Sequence, residues 1–337
     1  MRILYLDALR VFATIAVVVL HTAAPFLYEM NNIGEHQWMV MNVFDSFTRW
    51  CVPIFIIISG ALLLNGKSEP LNTFFKKRSS KVVIPFIGWS VFYYVYQVYQ
   101  NKAELSGTSF IIAFLENDVF YHLWFLYMLL GLYLIVPILK IYVQNASNKN
   151  LAYFIALWFI GASGYAAVKK FLGISIGIDI PVVVGYVGYF VLGYYLTKVN
   201  VNNLFRKSLY IMAIVALIGT VAGTFYVTHL RNGQFFDYFY SYLAPNIIVL
   251  SIALFIFFKH NYLKMDQAIP SPIIKEISKA SLGIYLLHPF ILKILPINAM
   301  FIHPLVGMLF TSMLALAISY CIVRILQSIP HVKALVP

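Results

Sequence analysis

Charged residues are scarce in this sequence. Asp, Glu, Lys and Arg make up 11% of its 337 residues, and hydrophobic residues make up 61%. A soluble domain carries about 25% charged residues, so the shortfall excludes a water-facing surface over most of the chain. Cysteine is rarer still. Cys51 and Cys321 each sit in an apolar run far from any CxxC spacing, and both read as small buried apolar residues rather than as a disulfide or metal site. The eight histidines show no ligand spacing with one another or with cysteine, so no metal is expected. Low-complexity tracts and obvious repeats are missing. Long polar connections are missing too, and the chain reads as a single integral-membrane domain, 1–337, with no appended soluble domain. No Ala-x-Ala cleavage site ends the first apolar run, which also outlasts the roughly 7–15 residues of a signal core. It is expected to remain as the first spanning helix.

The sequence does have apolar stretches of about 18 residues or more from end to end, each long enough to cross a bilayer as a helix. Runs such as Thr14 to Leu20 do not alternate, which argues against barrel strands. In lipid, every backbone polar group must be bonded internally, so the stretches must be helices. The expected fold class is all-α: a polytopic membrane protein with about ten transmembrane helices, at roughly 4–27, 41–64, 80–100, 121–143, 151–168, 180–198, 208–228, 239–259, 279–298 and 304–326.

Lysine and arginine set the orientation. With the N-terminus in the cytoplasm, Arg2, Lys67, Lys76, Lys77, Arg78, Lys81, Lys140, Lys198, Arg206, Lys259, Lys264, Lys279, Arg324 and Lys333 fall on or near the cytoplasmic side. The opposite side receives Lys102, Lys169, Lys170, Arg231 and Lys293. This bias predicts an even number of spans and both termini cytoplasmic. It also accounts for the net charge of +12 without a nucleic-acid partner. The outward loops hold Glu29, Glu35, Asp179, Asp237 and many aromatics, which read first as an interfacial belt and second as stacking faces for sugars.

A few polar residues lie where lipid would surround them, at a cost of at least a few kcal/mol for each charge. The first helix carries Asp7, Arg10 and His21. Arg10 and His21 share a face about 16 Å apart along the axis, and Asp7 can pair with Arg10. Arg10 reads either as a snorkelling anchor or as part of a site. His21 reads as a satisfied core residue or as a general base. Arg49 sits inside the outer end of the second helix, as an anchor or facing a carboxylate, an anionic substrate or an oxyanion. Pro53, just after it, is placed to kink that helix. The loop Phe75–Pro85 holds Lys76, Lys77, Arg78 and Lys81. It is a topology signal, an anionic-lipid contact or a phosphate site in which Arg78 and Lys81 face one ligand. His122 and Trp124 open the fourth helix, with His122 at a solvated rim. Ser281, Tyr285 and His288 share one face of the ninth helix, as core hydrogen bonds or as a site, and Pro289 disfavours helical geometry at His288.

Taken in order, these motifs resemble the integral membrane acyltransferase family three: Asp7-x-x-Arg10 followed by His21, Arg49-x-x-x-Pro53 to Ser59-Gly60, the basic loop before Pro85, His122-Leu123-Trp124-Phe125, and Ser281-Leu282-Gly283-Ile284-Tyr285-x-x-His288. The resemblance covers nearly the whole chain. The His-Leu-Trp-Phe segment looks most like the branch that O-acetylates enterobacterial common antigen.

The resemblance implies a bacterial inner-membrane O-acyltransferase. It would move an acetyl group, with acetyl-CoA as donor, to a hydroxyl of a cell-surface or lipid-linked glycan. It implies that His21 is the catalytic histidine, as base or acyl carrier, that Arg10, with Asp7, stabilises the site or the donor, and that Arg78, Lys81 and Lys77 bind the CoA phosphates. Arg49, His122, Trp124, Ser281, Tyr285 and His288 would support substrate. The basic loop departs from the family in having lysines around a single arginine, and lysine meets phosphate as a point charge. A rival reading is a secondary transporter of a small anion or glycan precursor using the Asp7/Arg10/His21 helix. Another is a non-enzymatic partner of a glycan-assembly complex. Gly185, Gly188 and Gly193 permit close helix approach, within one chain or in a homo-oligomer.

Overall fold

The structure, a computed structural model, describes residues 3–67, 69–175, 185–268, 271–295 and 303–337, without the side chains of 263–268. Arg2, Asp179, the start of the expected span 180–198 and the end of the span 279–298 therefore lie outside the described residues, as does the side chain of Lys264. All regular structure among the described residues is helical, as backbone without water to bond to requires. Nine helical segments among them are long and apolar enough to cross a membrane: Leu4–Tyr28, Glu35–Leu63, Leu71–Tyr99, Trp124–Asn145, Asn148–Leu172, Asn203–Leu230, Tyr238–Tyr262, Ser271–Ile294 and Pro304–Ser328. The remaining expected span is described as a helix over Val187–Lys198. In chain order the helices include α2 (Met30–Ile33), α7 (Gly107–Leu115), α8 (Trp124–Asn145), α9 (Asn148–Trp158) and α10 (Tyr165–Leu172). The chain is an all-α polytopic membrane protein.

The first helix, α1 (Leu4–Ala23), lies at the centre. It packs against α3 (Glu35–Thr48), α4 (Cys51–Leu63), α13 (Pro245–Ala268), α14 (Ser271–Ile294) and α15 (Pro304–Ser328). Asp7 falls in its first turn, where the helix dipole favours a carboxylate. The peripheral α12 (Asn203–Leu230) exposes Ile211, Ile214, Val215 and Ile218, as a lipid-facing helix does. For the same reason Cys321 is exposed rather than buried; only Cys51 is buried as expected.

Glycine decides one contact. A Cβ on Gly60 would stand 2.0 Å from the carbonyl oxygen of Phe190, and one on Gly193 would stand 2.1 Å from that of Ile57. The backbones of α4 and α11 (Val187–Lys198) therefore touch directly. Gly188 lies equally close to the Trp158 ring. These two of the three glycines thus serve packing within the chain.

Two expectations change locally, each around a proline. The basic segment expected as a loop is helical: α5 (Leu71–Arg78) runs through a π turn, Ser79–Val83, into α6 (Ile84–Tyr99). The wider turn falls just before Pro85, which has no amide hydrogen for the Lys81 carbonyl and would crowd it in a regular α turn. In α14 the helix continues through Pro289, whose neighbours hold it in place. The cost is one freed carbonyl, that of Tyr285.

Near Pro53, where a kink was expected, the helix is interrupted instead. α3 ends at Thr48 and α4 begins at Cys51, so Pro53 falls in a first turn that needs no amide hydrogen. Arg49 sits in the break.

After α15 the chain returns to the bundle. Val336 is buried, Trp89 Nε1 donates to the Leu335 carbonyl at 2.9 Å, and Gln327 Nε2 donates to the Val336 carbonyl at 2.9 Å. Both ends of the described chain lie at the same end of the bundle as Lys81 and Lys279, as an even number of crossings requires.

Candidate active site

Two polar layers hang from α1, one near the termini and one toward the far end. In the near layer, Asp7 is buried and accepts from Ser278 Oγ at 2.7 Å. Arg10 Nη1 lies 3.2 Å from Ser278 Oγ and 3.4 Å from Asp7 Oδ1. The Asp7–Arg10 pairing expected from the spacing is present, with Ser278 of α14 as a third member that the spacing did not name. Arg10 lines a cavity of about 170 Å³ together with Ser59, Tyr133, Ser281 and Tyr285, its other walls being apolar.

In the far layer, His21 lines a larger cavity of about 590 Å³, with Arg49, Tyr121, Tyr242, Tyr28 and Lys293 among its walls. His21 Nδ1 lies 2.6 Å from His288 Nε2, and the two rings are nearly parallel with centroids 4.9 Å apart. Tyr121 meets His21 edge-on at 5.2 Å. Arg49 makes a two-pronged ion pair with the fully buried carboxylate of Asp45: Nε reaches Oδ1, and Nη2 reaches Oδ2 at 2.9 Å. Its guanidinium lies over the Tyr240 ring at 4.5 Å and the Tyr242 ring at 5.8 Å. Asp45 stands four residues before Arg49, one helical turn away, and that spacing could have identified it. Trp124 stacks on Tyr242 at 5.7 Å, behind the cavity wall.

Tyr285, His122 and His288 stand between the layers. Tyr285 donates its hydroxyl hydrogen to the His122 carbonyl while its ring borders the near cavity. Ser281, Tyr285 and His288 thus run along one face of α14 from the near cavity to His21, as their spacing suggested. His122 is not at a solvated rim. Its side chain is fully buried, neither ring nitrogen makes a hydrogen bond of full geometry among the described residues although the Leu286 backbone carbonyl is within reach, and its ring sits 4.8 Å from that of Tyr93 and 6.3 Å from that of His288.

The basic segment is divided. Lys77 and Arg78 both pair with Glu69, Arg78 at 3.2 Å and with its guanidinium 4.4 Å over the Phe74 ring. Glu69 is held below the usual carboxylate range, first by the hydrogen bond from Lys77. Lys81, displaced by the π turn, opens instead onto a separate cleft of about 450 Å³ shared with Lys279 and Lys333. The expected pairing of Arg78 with Lys81 toward one ligand is therefore replaced by Lys81 with two lysines distant in sequence. Lys279 also pairs with Glu276.

Among the described residues no group of three or more His, Cys, Asp or Glu side chains could hold a metal ion. What the two layers do bring together is an imidazole at the wall of a large cavity, a buried guanidinium beside it, and a second guanidinium in a smaller cavity behind it.

A curated relative, the "Probable poly-beta-1,6-N-acetyl-D-glucosamine export protein" of Staphylococcus aureus (strain MRSA252), is 23% identical over 300 residues, covering 84% of this chain and 81% of the relative. No solved structure matches. The family model described as "Acyltransferase domain" matches residues 3–324, a stretch that contains both layers and the helices that carry them, and the chain belongs to the acyltransferase 3 family.

Proposed function

We propose that the protein is a membrane O-acyltransferase that moves an acetyl group from cytoplasmic acetyl-CoA to a hydroxyl of a surface or lipid-linked polysaccharide. Family membership supports acyl transfer and multi-pass membrane residence. The observation that carries the assignment of roles is the placement of His21 at the wall of the 590 Å³ cavity, on the same helix as Arg10 at the smaller one.

The end that gathers Lys81, Lys279 and Lys333 faces the cytoplasm by the charge rule. Lys81 and Lys333 make no ion pair among the described residues, and the cleft they share suits the phosphates of the nucleotide end of CoA. Lysines meet those phosphates as point charges. The pantetheine arm then runs past Arg10, through the narrow cavity bounded by Tyr133 and Ser281, toward His21. The acceptor enters the far cavity, where Tyr28, Tyr121 and Tyr242 offer faces to a sugar ring. His21 takes the proton of the acceptor hydroxyl. The hydroxyl oxygen attacks the thioester carbon, a C–O bond forms, the C–S bond breaks, and the proton passes from His21 to the departing thiolate. Arg49, its charge oriented by Asp45, stands in the same cavity to stabilise the developing oxyanion.

The relative's name favours export as a second reading. An exporter moves polymer whether or not acyl-CoA is present, so the two readings separate in one experiment. Inverted vesicles receive radiolabelled acetyl-CoA, and label on the glycan is counted for wild type and His21→Ala. The expected result is acetyl-CoA-dependent labelling that falls by at least ~10²-fold in the folded variant. Full labelling by folded His21→Ala would remove His21 as the base. Polymer movement without any labelling would favour export.

A further inference from the structure

We infer that His288 is the positioning residue that fixes the tautomer of His21, holding its proton on Nδ1 so that the Nε2 lone pair is free for the acceptor hydroxyl. This deepens the acyltransfer reading and rests on it for the identity of the base.

The inference follows from counting hydrogens. His288 Nδ1 lies 2.9 Å from the carbonyl oxygen of Ile284. A carbonyl only accepts, so His288 Nδ1 carries a hydrogen. The His288 side chain is fully buried, and no carboxylate bonds to it among the described residues; its ring neighbours are His21, His122 and Tyr285. An imidazolium in that position would be an uncompensated buried cation, which is strongly disfavoured. His288 is therefore neutral, with its one hydrogen on Nδ1 and a lone pair on Nε2. That lone pair lies 2.6 Å from His21 Nδ1, a distance that demands a hydrogen between the two nitrogens. The hydrogen belongs to His21. In a neutral His21 the other nitrogen, Nε2, is then bare.

The arrangement has the logic of a catalytic triad with a neutral third member: the second residue sets which nitrogen of the base is protonated. When His21 takes the acceptor proton on Nε2 it becomes an imidazolium. Its Nδ1–H still points at a nitrogen lone pair, and the positive charge gains a charge-assisted bond. When His21 returns the proton to the thiolate, the original tautomer is restored. The local helix supports this geometry. The imidazole of His288 folds back onto its own helical turn, with Nδ1 at the Ile284 carbonyl, leaving Nε2 to face α1.

The test uses the full-length protein in nanodiscs with ¹⁵N-labelled histidine, assigned by difference against His21→Ala. The expected spectrum shows His21 protonated at Nδ1 and bare at Nε2. In His288→Ala the His21 signals move to the Nε2-protonated form or to a mixture. Turnover should fall by at least ~10²-fold in kcat, with the donor KM within about twofold. His288→Gln keeps the side-chain length and offers a carbonyl oxygen as acceptor to His21 Nδ1–H. It should recover most of the lost kcat, which a merely structural role would not produce. A wild-type His21 protonated at Nε2 would overturn the inference, as would full kcat in His288→Ala. If His288→Ala stays active while His21→Ala is dead, only the tautomer assignment fails. If folded His21→Ala stays active, the reading of His21 as base fails first.

Discussion

Asp45 and Arg49 allow the sharpest quantitative prediction. Asp45→Asn keeps size and one acceptor oxygen but removes the charge and one prong of the ion pair. The two prongs are charge-assisted bonds worth about 1.5–3 kcal/mol each. Breaking a buried pair from one side costs about 3–5 kcal/mol in measured cases, because the remaining charge has no partner. The stacking of Arg49 over Tyr240, worth about 0.5–2 kcal/mol, survives the change. The asparagine variant should therefore lose roughly 2–4 kcal/mol of stability, between one lost bond and a fully broken pair. Replacing both residues, Asp45→Leu with Arg49→Met, should recover most of that loss, since an apolar pair of similar volume leaves no buried charge. Transfer activity should not recover with it, because the cation beside His21 is gone. Equilibrium unfolding in mixed micelles measures the first quantity and glycan labelling the second. A loss below about 1 kcal/mol in Asp45→Asn would mean that the pair behaves as an exposed one. A double variant that is both stable and fully active would refute Arg49 as an oxyanion partner and leave it a structural residue.

The other predictions follow from contacts already described. His122→Phe removes a buried imidazole with no well-formed hydrogen bond, so thermal stability should hold or rise; turnover should nevertheless fall by about tenfold or more if the ring nitrogens handle substrate or an ordered water. Gly193→Val places a Cβ against the Ile57 carbonyl and should sharply reduce folded yield, measured by size-exclusion recovery, whereas Ala at Gly219, where a Cβ meets open space, should not. Lys81→Glu with Lys333→Glu should raise the donor KM about tenfold or more with little change in kcat, measured by initial rates; an unchanged KM would move the phosphate site elsewhere.

The fold was legible because lipid leaves a chain few choices. Apolar length set the spans, and lysine and arginine set their direction. On the first helix, spacing alone predicted the pairing of Asp7 with Arg10 and the shared face with His21, since helical geometry converts sequence distance into direction. Asp45 was equally readable, one turn before Arg49. What could not be read was contact between helices. His21 and His288 are 267 positions apart, and nothing in either segment names the other. Tyr240 and Tyr242 come to Arg49 from a short connecting segment. The π turn before Pro85 redirects Lys81 by widening one turn, so a face argument based on regular helix geometry pointed it at the wrong neighbours. Cys321 shows the same limit from the opposite side: in lipid, an apolar surrounding does not mean a buried one.

The polar groups of this bundle differ in how well they are satisfied, and the difference points to function. Asp7, Arg10 and Ser278 satisfy one another, and so do Asp45, Arg49 and Tyr240 by pairing and stacking. A few buried hydroxyls, those of Ser90, Ser163, Thr224 and Ser319 among them, also lack a partner, but each leaves a single small group unsatisfied whereas an imidazole leaves two ring nitrogens. His122 is the imidazole among these groups, and its backbone carbonyl is held by Tyr285. A buried imidazole without a well-formed hydrogen bond is a net cost to folding, and phenylalanine would fill the space without it. The residue next to it in the layer, His288, is satisfied only through His21 and a backbone carbonyl. This imidazole lies one ring removed from the proposed base, through His288 and Tyr121, between the two cavities that donor and acceptor would enter. If His122→Phe were both more stable and fully active, that reasoning would be wrong, and the imidazole would be a cost with no return.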